Sequence, residues 1–336
     1  MAWHPLSLVI GLMEVITWVV YIGAAWRLMI LIPQWQPESC DEKQLWRQRA
    51  LEMSTFQGRW TLFLQITTFI LFMVGLTNAW YPYIPGAVCG AGVLEAMGSS
   101  GYQALLFRAL SLIILYCWYV MQRVMRHHPQ KTAAIFHGRL LLLAAPLMVM
   151  TTWSFGRAVM GADSEAAVNC CTVVYNQALS SQTPLVQSPA MGSGRTWMLS
   201  MFSGAFLLSA GGIWLWRSRV WDGKRRLFCI VGLCLMWSIG ADLGLKWGVG
   251  PHIYQSASNP CIWCLFLPAN KGLGFVLFGL VAIAVVEGLA AATLLIIGAR
   301  AGLSMELLYQ RISTSGRRIF IVTALFISIT ATIVMV

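Results

Sequence analysis

The chain predicts an all-α fold, a polytopic membrane helix bundle of about eight spans. Three observations carry this: composition, the length of the apolar runs, and the placing of the charges. Of 336 residues 58% are apolar and 10% charged, at a mean hydropathy of +0.70, whereas a soluble domain carries about 25% charged residues. The apolar residues fall in continuous runs of about 20, the length a helix needs to cross hydrocarbon. They do not alternate as barrel strands would, and only a helix satisfies its own backbone groups within one such segment.

The runs lie at 6–32, 60–80, 104–122, 140–161, 197–216, 227–248, 273–298 and 319–336. The first has no basic residue before Arg27 and is too long for a signal peptide, so it reads as an uncleaved anchor. Runs two to seven form hairpins over 60–122, 140–216 and 227–298, flanked by the first and last runs. The reading is a single integral membrane domain over 1–336. Eighteen of the 23 Lys and Arg fall in the odd-numbered connections, against Arg108, Arg157, Arg195, Lys246 and Lys271 on the other side. The positive-inside bias then makes the odd connections cytoplasmic and both termini exported, in a bacterial inner membrane. The net charge of +11 is a topology signal, with the lipid bilayer as partner, and calls for no nucleic acid.

The exported loops run over 81–103, 162–196 and 249–272, each broken by Pro and Gly. Residues 93–97 and 172–179 suit short interfacial helices. Trp80, Tyr83, Tyr102, Trp197, Trp247 and Trp263 sit where an aromatic belt anchors a membrane protein. Residues 87–100 can be laid on 168–181, matching Cys89, Val93, Ser99 and Ser100 to Cys170, Val174, Ser180 and Ser181. A repeated hairpin is one explanation and chance the other.

Five of the nine cysteines, Cys89, Cys170, Cys171, Cys261 and Cys264, occupy the exported loops. In an oxidising compartment such thiols pair as structural staples, exchange electrons, or bind metal. Asn259-Pro-Cys-Ile-Trp-Cys264 is the sharpest signal: two cysteines separated by two residues close a small disulfide, and a helix amino terminus there favours the thiolate of the first. The adjacent Cys170 and Cys171 pair poorly with each other, so each seeks a partner elsewhere in a thiol relay. Cys117, Cys229 and Cys234 lie inside spans as small apolar residues.

Cys261-Ile-Trp-Cys264 at the outer end of an apolar helix, with further cysteines in exported loops, resembles the quinone-linked membrane thiol oxidoreductases of the vitamin K epoxide reductase and DsbB type. The resemblance implies that Cys261 and Cys264 form the pair beside a bound quinone, accepting electrons from loop cysteines that take them from an exported thioredoxin-like protein. That class is built on a four-helix bundle, and this chain has twice as many spans.

Glu14, Asp242 and Glu287 fall within the runs. An intramembrane carboxyl serves either proton transfer or a buried bond between helices. Asp242 and Lys246 are one turn apart on a helix. Arg108 and Arg157 suit an anionic headgroup or an ion pair with Glu95, Asp163 or Glu165. No histidine lies deep in a run, and Leu265 follows Cys264, so no haem is expected. No Gly-rich phosphate loop points to ATP.

The expected function is an inner-membrane thiol-disulfide oxidoreductase. Cys89, Cys170, Cys171, Cys261 and Cys264 would carry the exchange, a quinone would be the cofactor, and no resident metal is assigned. The alternatives are a transporter of a thiophilic metal ion and an integral subunit of a larger membrane complex with disulfide-stapled loops.

Overall fold

The computed structural model describes residues 1–34, 42–125, 131–162, 190–217, 223–250, 253, 261–300 and 305–335. Among them there is no strand. The helices are α1 (Pro5–Gln34), α2 (Glu42–Val74), α3 (Gly90–Ala96), α4 (Gly98–Met125), α5 (Lys131–Met160), α6 (Ala190–Arg217), α7 (Gly223–Gly244), α8 (Leu273–Arg300) and α9 (Met305–Met335). All but the short α3 are long and apolar enough to cross a membrane, which makes eight such helices among the described residues. Leu12, Val19, Trp26, Phe206 and Met236 are each more than 60% exposed, a surface suited to lipid. The chain is a multi-pass, all-α membrane protein.

Each helix begins or ends where charge and breakers allow. The expected runs sit inside longer helices: α2 begins at Glu42, well before residue 60, and α9 begins at Met305, well before residue 319. Arg317 and Arg318, read as loop residues, are therefore helical. The pairs that pack most extensively are α1 with α2, α4 with α5, and α6 with α7. These are hairpins closed by the basic connections.

The chain divides into two compact units. The first comprises Met1–Gly75, Met97–Asp163 and Thr293–Tyr309. Its centre is aromatic: Trp118 has no exposed surface and stacks on His137 at 5.1 Å between ring centres. A Cβ on Gly58 would lie 2.3 Å from the Trp118 ring, so α2 and α4 approach this closely only because residue 58 is glycine. Tyr21, also buried, donates its hydroxyl to the Leu141 carbonyl at 2.8 Å, tying α1 to α5.

The same unit holds the deepest charges. The Arg108 guanidinium, with no exposed surface, meets Glu14 at 2.8 Å and lies 5.3 and 5.6 Å from the ring centres of Phe72 and Phe155. Thr152 donates to the other Glu14 oxygen at 3.0 Å and accepts the Trp18 indole N–H at 2.9 Å. Glu14 thus binds α1 to α4 and α5, the helix-locking role of the two open to an intramembrane carboxyl. Arg108 pairs with Glu14, an acid distant in sequence; Asp163 and Glu165, two of the nearer acids that sequence offered, lie outside the described residues. Beside it an apolar cavity of about 850 Å³ is lined by Trp18, Ser100, Thr152, Trp153, Arg157 and Met160 among others.

The second unit comprises Leu76–Ala96, Ser164–Ala292 and Gln310–Val336. Here α6 and α9 cross at glycines: a Cβ on Gly212 would lie 2.9 Å from the Gly316 carbonyl oxygen. Small residues allow this backbone approach, the usual device where no hydrophobic force drives helices together in lipid. Ser209 and Thr323 hydroxyls meet nearby at 2.6 Å. Glu287, 3% exposed, accepts from Ser315 at 2.8 Å and from Arg318 at 2.6 Å. The helical start of α9 is what brings Arg318 to it.

Removing one partner of a buried ion pair strands the other charge, at about 3–5 kcal/mol. We expect Glu14→Gln to lower the stability of the purified protein in detergent by that amount in denaturant unfolding, and Glu14→Gln with Arg108→Met to recover a large part of it. An unchanged midpoint in Glu14→Gln would show that Arg108 is stabilised without its carboxylate.

Candidate functional site: a three-thiol cluster

Two segments of the second unit that turn between spans supply the site. The first follows α2, whose span ends in a π-helical turn, Gly75–Ala79, and a single turn at Tyr81–Tyr83. Ile84-Pro85-Gly86-Ala87 then reverses the chain. The Ala87 N–H bonds to the Ile84 carbonyl at 3.1 Å, and Gly86 takes φ +81°, as the third position of a type II turn demands. Cys89 comes directly after this reversal, and its carbonyl accepts the first helical bonds of α3, from Gly92 and Val93. The short helix expected at 93–97 exists, displaced to Gly90–Ala96.

The second segment carries Cys261 and Cys264. Expectation placed the pair at the amino terminus of a membrane helix. Instead Ile262–Phe266 is one tight 3₁₀ turn with Cys261 as the residue before it. A second turn follows at Pro268–Asn270, and Lys271 and Gly272 take φ +53° and +64° before α8 begins. Pro268 and the two left-handed residues interrupt the helix, so the dipole of a long helix does not act on Cys261.

The turn is nonetheless firmly held. The Cys264 carbonyl accepts both the Leu267 N–H at 3.2 Å and the Asn270 side-chain amide at 2.7 Å. Phe266, buried, packs edge-on to Phe275 and stacks on Phe278, with centre distances of 5.1 and 5.3 Å. A Cβ on Gly274 would lie 2.7 Å from the Phe266 ring, so glycine there lets the ring seat against α8. On the opposite flank a Cβ on Gly90 would lie 2.8 Å from the Trp263 ring. From α8 outward the contacts run through Phe266 to the Cys-x-x-Cys turn, and through Trp263 to the residue adjoining Cys89.

These contacts gather three sulfurs. Cys89 Sγ lies 3.6 Å from Cys261 Sγ, and the thiols of Cys89, Cys261 and Cys264 all lie within 4.8 Å of one another. Cys89 has no exposed surface, while Cys261 and Cys264 are half-buried. At 3.6 Å two sulfurs touch without being bonded, since a disulfide measures about 2.05 Å. No two of the six described cysteines are joined in a disulfide. Cys170 and Cys171 lie outside the described residues. Of the others, Cys117 and Cys234 are buried in their helices, and Thr293 bonds to the Cys117 sulfur at 3.6 Å.

Sequence reading singled out the three clustered cysteines but not the glycines that let them meet. Gly90 read as loop punctuation, and its closeness to Trp263 has no signature in the chain. The spans before both cysteine loops, α2 and α7, run on into five-residue π-helical turns, Gly75–Ala79 and Leu245–Val249. Such turns are frequent at functional sites.

If Gly90 sets the sulfur spacing, Cys264→Ser should still form an internal Cys89–Cys261 disulfide on mild oxidation, read by mass spectrometry of the linked peptides. Adding Gly90→Ala should sharply reduce the yield while circular dichroism stays constant; an equal yield would show that the spacing is set elsewhere. Compared with known protein families, curated proteins and solved structures, the chain matches none of them.

Proposed function

We propose that the chain is a membrane thiol-disulfide oxidoreductase working through Cys89, Cys261 and Cys264. The observation that carries the reading is the contact of Cys89 with Cys261 at 3.6 Å, which makes Cys261 a sulfur with two exchange partners. Thiol exchange requires a thiolate to reach a disulfide sulfur in contact range.

The chemistry balances as follows. With Cys261 and Cys264 joined, a thiolate of an incoming dithiol attacks one of these half-buried sulfurs, forming a mixed disulfide and releasing the other cysteine as thiolate. The second thiol of the incoming dithiol then attacks the mixed disulfide, leaving oxidised and leaving both chain thiols reduced. Within the cluster, the Cys89 thiolate can attack Cys261: the Cys89–Cys261 bond forms, the Cys261–Cys264 bond breaks, and Cys264 departs as thiolate. This internal step moves the disulfide without net oxidation.

Regeneration removes two electrons and two protons from the chain dithiol. A membrane quinone, when bound, supplies the sink for them, and the half-buried Trp263 within the Cys-x-x-Cys turn offers the aromatic face its ring would lie against. The reading places the cluster on the exported face of a bacterial inner membrane, because the basic connections carry most of the Lys and Arg. The incoming dithiol is then an exported thioredoxin-like protein, and Cys170 and Cys171 are further exchange thiols of the same face.

The test uses the purified chain in nanodiscs with a reduced thioredoxin-fold protein as donor and a short-chain quinone as acceptor. We expect loss of donor thiols matched by quinol formation. Cys261→Ser and Cys264→Ser should abolish both, Cys89→Ser should slow them, and Cys117→Ser should leave them unchanged. Turnover that survives Cys261→Ser, or no turnover in the unaltered chain, overturns the proposal.

A further inference from the structure

We propose that the reduced cluster of Cys89, Cys261 and Cys264 is a three-coordinate site for one thiophilic d10 cation. The inference uses the same cluster as the exchange reading and its reduced state, but needs neither turnover nor an electron acceptor.

The donor set points to the ligand. The group of mutually close metal-ligating atoms contains three sulfurs and no imidazole or carboxylate among the described residues. Soft thiolates select soft ions over the hard cations that carboxylates hold. The spacing also fits. Three thiolates at about 2.3 Å from a three-coordinate metal stand roughly 4.0 Å apart. Cys89 and Cys261, at 3.6 Å, are within a few tenths of an ångström of that spacing. Cys264 lies within 4.8 Å of both, so it closes by at most about 1 Å to complete the set.

Electrostatics argues the same way. Three thiolates this close repel one another, and one of them belongs to a residue with no exposed surface. A bound cation removes that repulsion. The scaffold is prearranged from both sides: the Asn270 amide and the Leu267 N–H fix the Cys264 carbonyl, and the Gly90 contact with Trp263 holds the Cys89 segment against the turn. Prearrangement lowers the ordering cost that a flexible thiol triplet would meet on binding. The half-exposure of Cys261 and Cys264 gives the ion an entry path.

Binding and exchange compete for the same sulfurs, so a captured ion should block oxidation of the pair. The experiment titrates Cd(II) into the fully reduced full-length chain under anaerobic conditions, reading the thiolate-to-metal charge-transfer absorbance and competition with a chelator. We expect one tightly held ion per chain, retained in Cys170→Ser with Cys171→Ser and in Cys117→Ser. Cys89→Ser, Cys261→Ser and Cys264→Ser should each lose the ion to the chelator, with unchanged circular dichroism. Cu(I) should displace Cd(II) from the same site. Retention of the ion in Cys89→Ser, or its loss in the Cys170 and Cys171 double variant, overturns the inference. A chain that binds Cd(II) in this pattern but does not oxidise a dithiol sinks the exchange reading alone; one that turns over but holds no ion sinks this inference alone.

Discussion

Hydrocarbon solvates neither a peptide group nor a charge, and the architecture of this chain answers to that constraint. It dictates helices wherever the chain crosses. It requires that the charges inside the spans find each other, as Glu14 does with Arg108 and Glu287 with Arg318. It also explains why close packing relies on glycine: with lipid as apolar as leucine, helices are brought together by close contact and by bonds between polar side chains. Gly58 against Trp118 and Gly212 against Gly316 are two solutions of that problem.

The chemistry is displaced accordingly. No thiol of the cluster lies in a membrane-spanning helix; all three sit in segments that turn between spans. Those segments are short, tightly hydrogen-bonded and packed through aromatic rings, so they hold geometry as a strand or helix would. The 3₁₀ turn bearing Cys261 and Cys264 is anchored through Phe266 on α8, and Trp263 carries that order across to Gly90. The candidate site rests on loops that are ordered without being regular.

How much of this was legible beforehand follows the range of each interaction. Spans depend on local composition, so all eight could be read along the chain. The start of α9 could not, because Arg317 and Arg318 look like a cytoplasmic connection until Glu287, on another helix, is seen to hold Arg318, with Arg317 over the Trp216 ring. The pairing of Arg108 with Glu14 was hidden for the same reason: nearer acids offered themselves in sequence. At the site, cysteine spacing announced Cys261 and Cys264, and shared loop position drew in Cys89. The missing helix amino terminus was misread because Leu-Phe-Leu after Cys264 looks helical, whereas Pro268 and the left-handed Lys271 and Gly272 stop it.

The cluster has an odd number of members. Disulfides form in twos, so however strongly it is oxidised from within, one of Cys89, Cys261 and Cys264 keeps its hydrogen. Parity therefore leaves a resident thiol whenever the cluster takes part in a single disulfide, internal or mixed, and a fully disulfide-bonded triplet exists only while a fourth sulfur is borrowed from elsewhere.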